Sequence, residues 1–212
     1  MSKTRYLPGA ALALAILLAA ACGGGLKTIS KDGYRATLSF SEEERFRVAV
    51  RGESKRVELV VDGSPLVKVV RPDLKKVWQF RPSTKKLMES DWAPAVEIVP
   101  GYPLEPGFDP EAYADRFGGQ IRRIGDAAHG LHPCDRWEMV LPSGDKAVIW
   151  AARDLEKLVV KIEHAKKDQG DEYQPFTTAE LLDVQTGADP DLFEKPKGFT
   201  TVKSYEELLR KS

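Results

Sequence analysis

From Tyr34 onward every second residue is apolar, and that rhythm rules out a helical bundle for the first half of the chain. Tyr34, Ala36, Leu38 and Phe40 alternate with Arg35, Thr37 and Ser39. A period of two gives an extended strand one apolar face, whereas a helix would need a period near 3.6. After the polar turn SEEE, Phe46, Val48 and Val50 alternate with Arg45, Arg47 and Arg51. Val57, Leu59 and Val61 then alternate with Arg56, Glu58 and Val60. Asp62-Gly63 is a tight-turn signal, followed by a short apolar run from Leu66 to Val70. RPDLKK makes the next turn, KVWQF the next strand and RPSTKK the turn after it. Strands and turns repeating at about ten residues describe an antiparallel meander.

Asp91 to Gly119 interrupts it. Prolines and glycines make continuous pairing improbable there, yet Trp92, Val96, Ile98, Tyr102, Leu104 and Phe108 are all apolar. A long apolar loop is either a packed cover or a mobile lid. DPEAYADRFG reads as a short helix, with Asp109 as N-cap, Pro110 at its first position and Gly118 as terminator. Strands resume near Gln120, turn near Gly130 to Pro133, and carry Trp137, Met139 and Leu141 on one face. KAVIWAARD and EKLVVKIEHAKK follow as strands joined near Asp154, and Asp168 to Glu172 make a hairpin loop. A last strand is expected over Phe176 to Gln185. SYEELLRK closes the chain as a helix capped by Ser204, with Glu207 at the capping-box position.

The N-terminus carries a different message. Lys3 and Arg5 precede an apolar run that ends in Ala19, Ala20, Ala21 and Cys22. This is the order of a secretory signal and its cleavage site; the run, about a dozen residues, falls short of the roughly 20 a spanning helix needs. A cysteine directly after the small residues suggests a bacterial lipoprotein signal over 1–21, cut before Cys22, whose thiol takes a lipid. The alternative is an ordinary secretory signal with a coincidental cysteine. Residues 22–31, rich in glycine, are read as a lipidated tether, and 32–212 as one domain. Gly23 after the lipidated residue fits onward transfer to the outer membrane, with the domain facing the periplasm. Without Lys3 and Arg5, the 32 basic and 32 acidic side chains become 30 and 32, a formal charge of −2. Near neutrality argues against a nucleic-acid partner. With Cys22 acylated, Cys134 has no partner for an internal disulfide.

Set in order, these pieces resemble a known family. RPDLKKVWQFRPSTKKLMES, GLHPCDRWEMV and the closing TAELLDVQTGADPDLFEKPKGFTTV, with its Pro-x-Leu-Phe and Pro-x-Gly-Phe, resemble the LolA/LolB-like superfamily. That superfamily includes the periplasmic lipoprotein carrier, its outer-membrane receptor and the sensor domains related to the sigma-E regulator RseB. The resemblance implies a mainly β fold with a few short helices. Its curved antiparallel sheet would form an incomplete, half-open barrel around an apolar hollow for acyl chains. The carrier lacks a lipid anchor, so Cys22 points to a receptor-like or membrane-attached member. The receptor delivers cargo with an exposed apolar loop, a part open here to Leu104 or Phe108.

For that hollow the candidate lining is Phe46, Val48, Val50, Trp78, Phe80, Trp137, Met139 and Trp150, with Trp92, Ile98, Leu104 and Phe108 as loop or lid. The alternative is that these side chains simply fill a core. His129, His132 and Cys134 are zinc-capable types, but HGLHPC has no recognised zinc spacing, so Cys134 is read as a buried strand residue. There is no GxSxG elbow; Ser143 lies in a turn, and Asp189 and Asp191 serve the closing turn. Paired lysines at 75–76, 85–86 and 166–167 sit in turns where solvated charge is expected. No enzyme chemistry, metal or cofactor is expected. The expected role is binding acyl chains of lipid or lipoprotein, for transfer or sensing. The alternative is a non-enzymatic interaction module with a filled core that docks a periplasmic partner protein.

Overall fold

The computed structural model describes residues 28–94, 98–99, 101–167 and 172–210. Among these residues, twelve strands form one sheet that does not close on itself. This is the open, mainly β architecture with a few short helices expected above. The signal run and Cys22 lie outside the described residues.

The strands of the first meander are β1 (Tyr34–Ser39), β2 (Arg45–Arg51), β3 (Ser54–Val61), β4 (Ser64–Arg71), β5 (Lys76–Arg81) and β6 (Lys86–Asp91). The Asp62-Gly63 turn joins β3 to β4 with both residues at positive φ, 51° and 72°, as a two-residue hairpin with right-handed strand twist requires. The second meander is β7 (Gln120–His129), β8 (His132–Val140), β9 (Lys146–Ala152), β10 (Leu158–Lys167) and β11 (Tyr173–Thr186). β11 returns to pair with β1, so the first and the last long strand meet in the middle of the sheet. The meanders unroll from that seam in opposite directions, leaving β6 and β7 at the two sides.

That order dictates where the long connection runs. Residues 92–119 leave β6 and enter β7, which lie ten strand spacings apart, or about 48 Å in a flat sheet at 4.8 Å per strand. The connection therefore crosses one whole face as a strap. Its helix α2 (Pro110–Phe117) is capped as the sequence indicates. Asp109 Oδ1 accepts from the Glu111 and Ala112 amides at 3.0 and 3.1 Å, and Gly118 ends the helix at φ 64°. β12 (Thr200–Thr201) pairs with β6 in parallel, the one departure from antiparallel order among the described strands.

The two covers make two cores. On the strap side, Leu38, Val48, Val50, Val57, Ile149, Ile162 and Leu181 pack with Tyr102, Leu104, Phe108 and Tyr113. On the other side Ala49, Val67, Val69, Trp78, Phe80 and Leu87 pack under Ala188, Phe193 and, at the margin, Phe199. Residues reading as tether up to 31 include a short helix, α1 (Ile29–Asp32), whose Ile29 is buried in the strap-side core. The fold thus begins before residue 32. α3 (Tyr205–Leu209) is capped by Ser204 Oγ on the Glu207 amide at 3.2 Å. Glu207 reaches back to the Lys203 amide at 3.0 Å.

Candidate functional site

The strap is fastened by tyrosine hydroxyls and backbone amides that reach backbone carbonyls. Tyr34 Oη donates to the Leu104 carbonyl at 2.7 Å, Tyr102 Oη to Val159 at 2.9 Å and Tyr113 Oη to Gly101 at 2.9 Å. Burial pushes the Tyr34 and Tyr102 hydroxyls well above the ordinary phenol range, and Tyr113 up to about 12. All three therefore stay protonated donors at physiological pH. The Gly107 amide adds a bond to Glu156 and the Phe108 amide one to Lys157, and Lys55 pairs with Glu105. Leu104 and Phe108 are only 1 % and 6 % exposed. The strap turns both inward. The leucine that stands almost fully exposed is Leu131, at the β7–β8 tip.

Between strap and sheet the packing leaves a hollow of about 280 Å³. Met139 from β8, Ile162 from β10 and Ala179 from β11 form its floor; Tyr102, Tyr113 and Phe117 form the roof; Phe40, Leu141 and His164 also line it. Protein interiors rarely leave voids larger than a water molecule, and this hollow has mostly hydrocarbon walls. Its volume lies just under the range of known ligand pockets, about 300–1,000 Å³. The polar exception is His164, whose imidazole burial holds below its ordinary range.

The structure does not gather the eight proposed lining residues on one wall. Met139 lines the hollow. Val48 and Val50 belong to the same core, and Phe46 and Trp137 pack at its margin, without lining the hollow. Trp78 and Phe80 are on the opposite face, where Phe80 meets Phe199 edge-on at 5.5 Å. Trp150 lies in the cross-strand row Arg136–Trp150–Lys161, which alternates with the row Trp137–Ile149–Ile162. Its ring sits 5.2 Å from the Arg136 guanidinium and 5.0 Å from the Lys161 ammonium. Of the strap residues, Trp92 and Ile98 are half-buried and neither lines the hollow.

Other candidates resolve into local contacts. His132 Nδ1 lies 2.9 Å from Asp154, His129 Nε2 is 3.9 Å from Glu180, and Cys134 Sγ donates to the His132 carbonyl. Burial raises the Cys134 thiol. Asp189 accepts the Asp191 amide, and Ser143 Oγ donates to Asp145 within its turn. Sequence reasoning missed the arginines that hold the closing segment over the second core. Arg51 donates to the Ala188 carbonyl, Arg56 to Leu192 and Arg71 to Phe193, at 2.8 to 3.0 Å. On that same face a polar groove of about 400 Å³ runs past Arg35, Arg47, Arg56 and Glu58. It is larger than the hollow under the strap, and its walls are charged.

No family model matches the chain, and no curated protein matches it. Among solved structures, an uncharacterized conserved protein from Thermus thermophilus is similar at 14% identity with a TM-score of 0.50. The match covers 81% of this chain and 90% of that one, and it shows a shared fold. The Pseudomonas aeruginosa MucA/MucB complex matches at 13% identity and a TM-score of 0.40, over 80% of this chain and 57% of that one. A LolA superfamily protein from Nitrosomonas europaea matches at 11% identity and a TM-score of 0.26, over 76% and 88%.

Proposed function

We propose that this chain is a bacterial envelope lipoprotein, anchored through Cys22 and facing the periplasm, that holds an acyl chain of a lipid or lipoprotein under its strap. It works without covalent chemistry. The observation that carries the reading is the hydrocarbon-walled hollow between a fixed floor and a fastened roof. Burial supplies the affinity, at about 0.8 kcal/mol for each methylene taken from water, and the release of the chain serves transfer or sensing.

Filling the hollow tests this directly. Ala179→Phe places a ring on the floor, beside Ile162 and Tyr102. Native mass spectrometry of the wild-type protein is expected to show a co-purified lipid that the folded variant lacks. A wild-type protein free of lipid, and unable to take any up, would refute the reading. The anchor has its own test: labelled palmitate is expected to enter the wild-type chain in bacteria and to be lost in Cys22→Ser.

A second reading draws on the groove of the opposite face. Arg35 and Arg47 are exposed there beside the half-buried Arg56, an arrangement that suits docking of an acidic segment of a periplasmic partner protein. Under that reading the strap-side hollow would stay empty.

A further inference from the structure

His164 is the one titratable group in the otherwise greasy space under the strap, apart from the roof tyrosines, and its position gives it a use. Leu141 and His164 line the hollow on its inner side and also line a second, shallower recess of about 270 Å³ outside it. That outer recess is walled by Lys146, Lys166, Asp145 and Phe176 as well. The Lys166 ammonium stands 3.8 Å over the Phe176 ring, and Lys146 lies 4.2 Å over Tyr173 while reaching Glu138 at 3.3 Å. Asp145 is turned to the Ser143 hydroxyl and to the Lys167 amide at 3.1 Å. No hydrogen bond reaches the His164 imidazole from the described residues. A half-buried imidazole without a partner, between an apolar hollow and a recess edged by ammonium groups, is built for an amphiphile lying across the boundary.

We propose that the site selects a single-chain lipid with an anionic oxyacid head. Its hydrocarbon would lie on Met139, Ile162 and Ala179, and its head would accept from His164 and Lys166. This rests on the acyl-chain reading above and narrows it to a carboxylate or phosphate head, against a neutral one. The chain enters past Leu141, so the tyrosine bonds of the strap stay closed. A carboxylate or phosphate accepting from an ammonium group puts opposite charges on both partners of the hydrogen bond, whereas a neutral alcohol leaves only the donor charged.

The test is calorimetric titration of the full-length Cys22→Ser chain with three ligands of equal chain length, each below its micelle concentration: dodecanoate, lauroyl lysophosphatidic acid and dodecanol. At least one of the two anions is expected to bind about tenfold or more tightly than dodecanol; whichever does so tells a fatty carboxylate from a phospholipid phosphate. Lys166→Gln and His164→Ala are each expected to shrink that preference several-fold, and His164→Gln, which keeps a donor, to restore part of it. Anions and alcohol binding equally well would overturn the head-group proposal and leave the acyl-chain reading standing. No binding of any of the three would overturn both.

Discussion

Gly33→Ala is expected to lower stability by about 4 kcal/mol or to prevent folding altogether. Gly33 links α1 to β1 at φ 74° and ψ −172°, a region that is essentially glycine's alone. A Cβ built there would lie 2.2 Å from the Val50 carbonyl oxygen and 3.0 Å from Arg51 Cα, both backbone atoms of the paired strand. Neither can swing away as a side chain would. Its own carbonyl also accepts the Gly187 amide at 2.8 Å, so a shift of Gly33 would pull on the end of β11 as well. Urea unfolding followed by circular dichroism measures the loss. Gly107→Ala is the control: its φ is 82°, but nothing lies within 4 Å of the added carbon, so only the strain of about 1 kcal/mol is expected. Equal losses in the two variants would show that the close approach to Val50 costs nothing.

Arg81→Ala is expected to cost about 3 kcal/mol. Arg81 ends β5 with only 1 % of its surface exposed. Its guanidinium donates to the Leu209 carbonyl at 2.7 Å and to the Val61 carbonyl at 3.2 Å. Nε finds no partner among the described residues. The side chain thus ties α3 and the β3–β4 turn to the sheet through carbonyls, without a carboxylate in its hydrogen bonds. Truncation removes a donor from each carbonyl and leaves a void beneath α3. Arg81→Met fills the void but not the bonds, and is expected to recover only part of the loss. Amide hydrogen exchange at Leu208 and Arg210 should quicken in both variants. A methionine variant as stable as wild type would show that the guanidinium does not secure α3.

Much of the backbone was readable because its signals are local. A period of two, a two-residue turn at Asp62-Gly63, and caps at Asp109 and Ser204 each involve neighbours in sequence, and each reappears in the structure. α1 escaped because four residues are too few to show a helical period. Which wall a side chain faces was less legible, because it depends on register across several strands. Val48 pairs in turn with Val57, Lys68 and Gln79, whereas Trp78 shares a row with Val69, Arg56 and Ala49. Even-numbered residues of β2 and β5 therefore look in opposite directions. One signal was available: Leu66 to Val70 barely alternates, which is how a strand buried on both faces reads. The fastening of the strap could not be read at all, since Tyr34 and Tyr102 find their carbonyls 70 and 57 residues away. Arg51 and Arg56 read only as the polar side of an alternating strand and Arg71 as the start of a turn, and all three become fasteners only once the closing segment folds back on them.

The β1–β11 seam also sets the order in which the chain can assemble. Tyr34 pairs with Thr186, so closing the sheet must join segments about 150 residues apart, a contact that is entropically costly and slow to form. Each meander can zip from its own hairpins beforehand, and the join comes last. Until residues 173–186 arrive, β1 presents an unsatisfied row of amides and carbonyls, the kind of template on which a second chain can nucleate aggregation. A chain that pauses after the first meander is therefore at greater risk than one released whole.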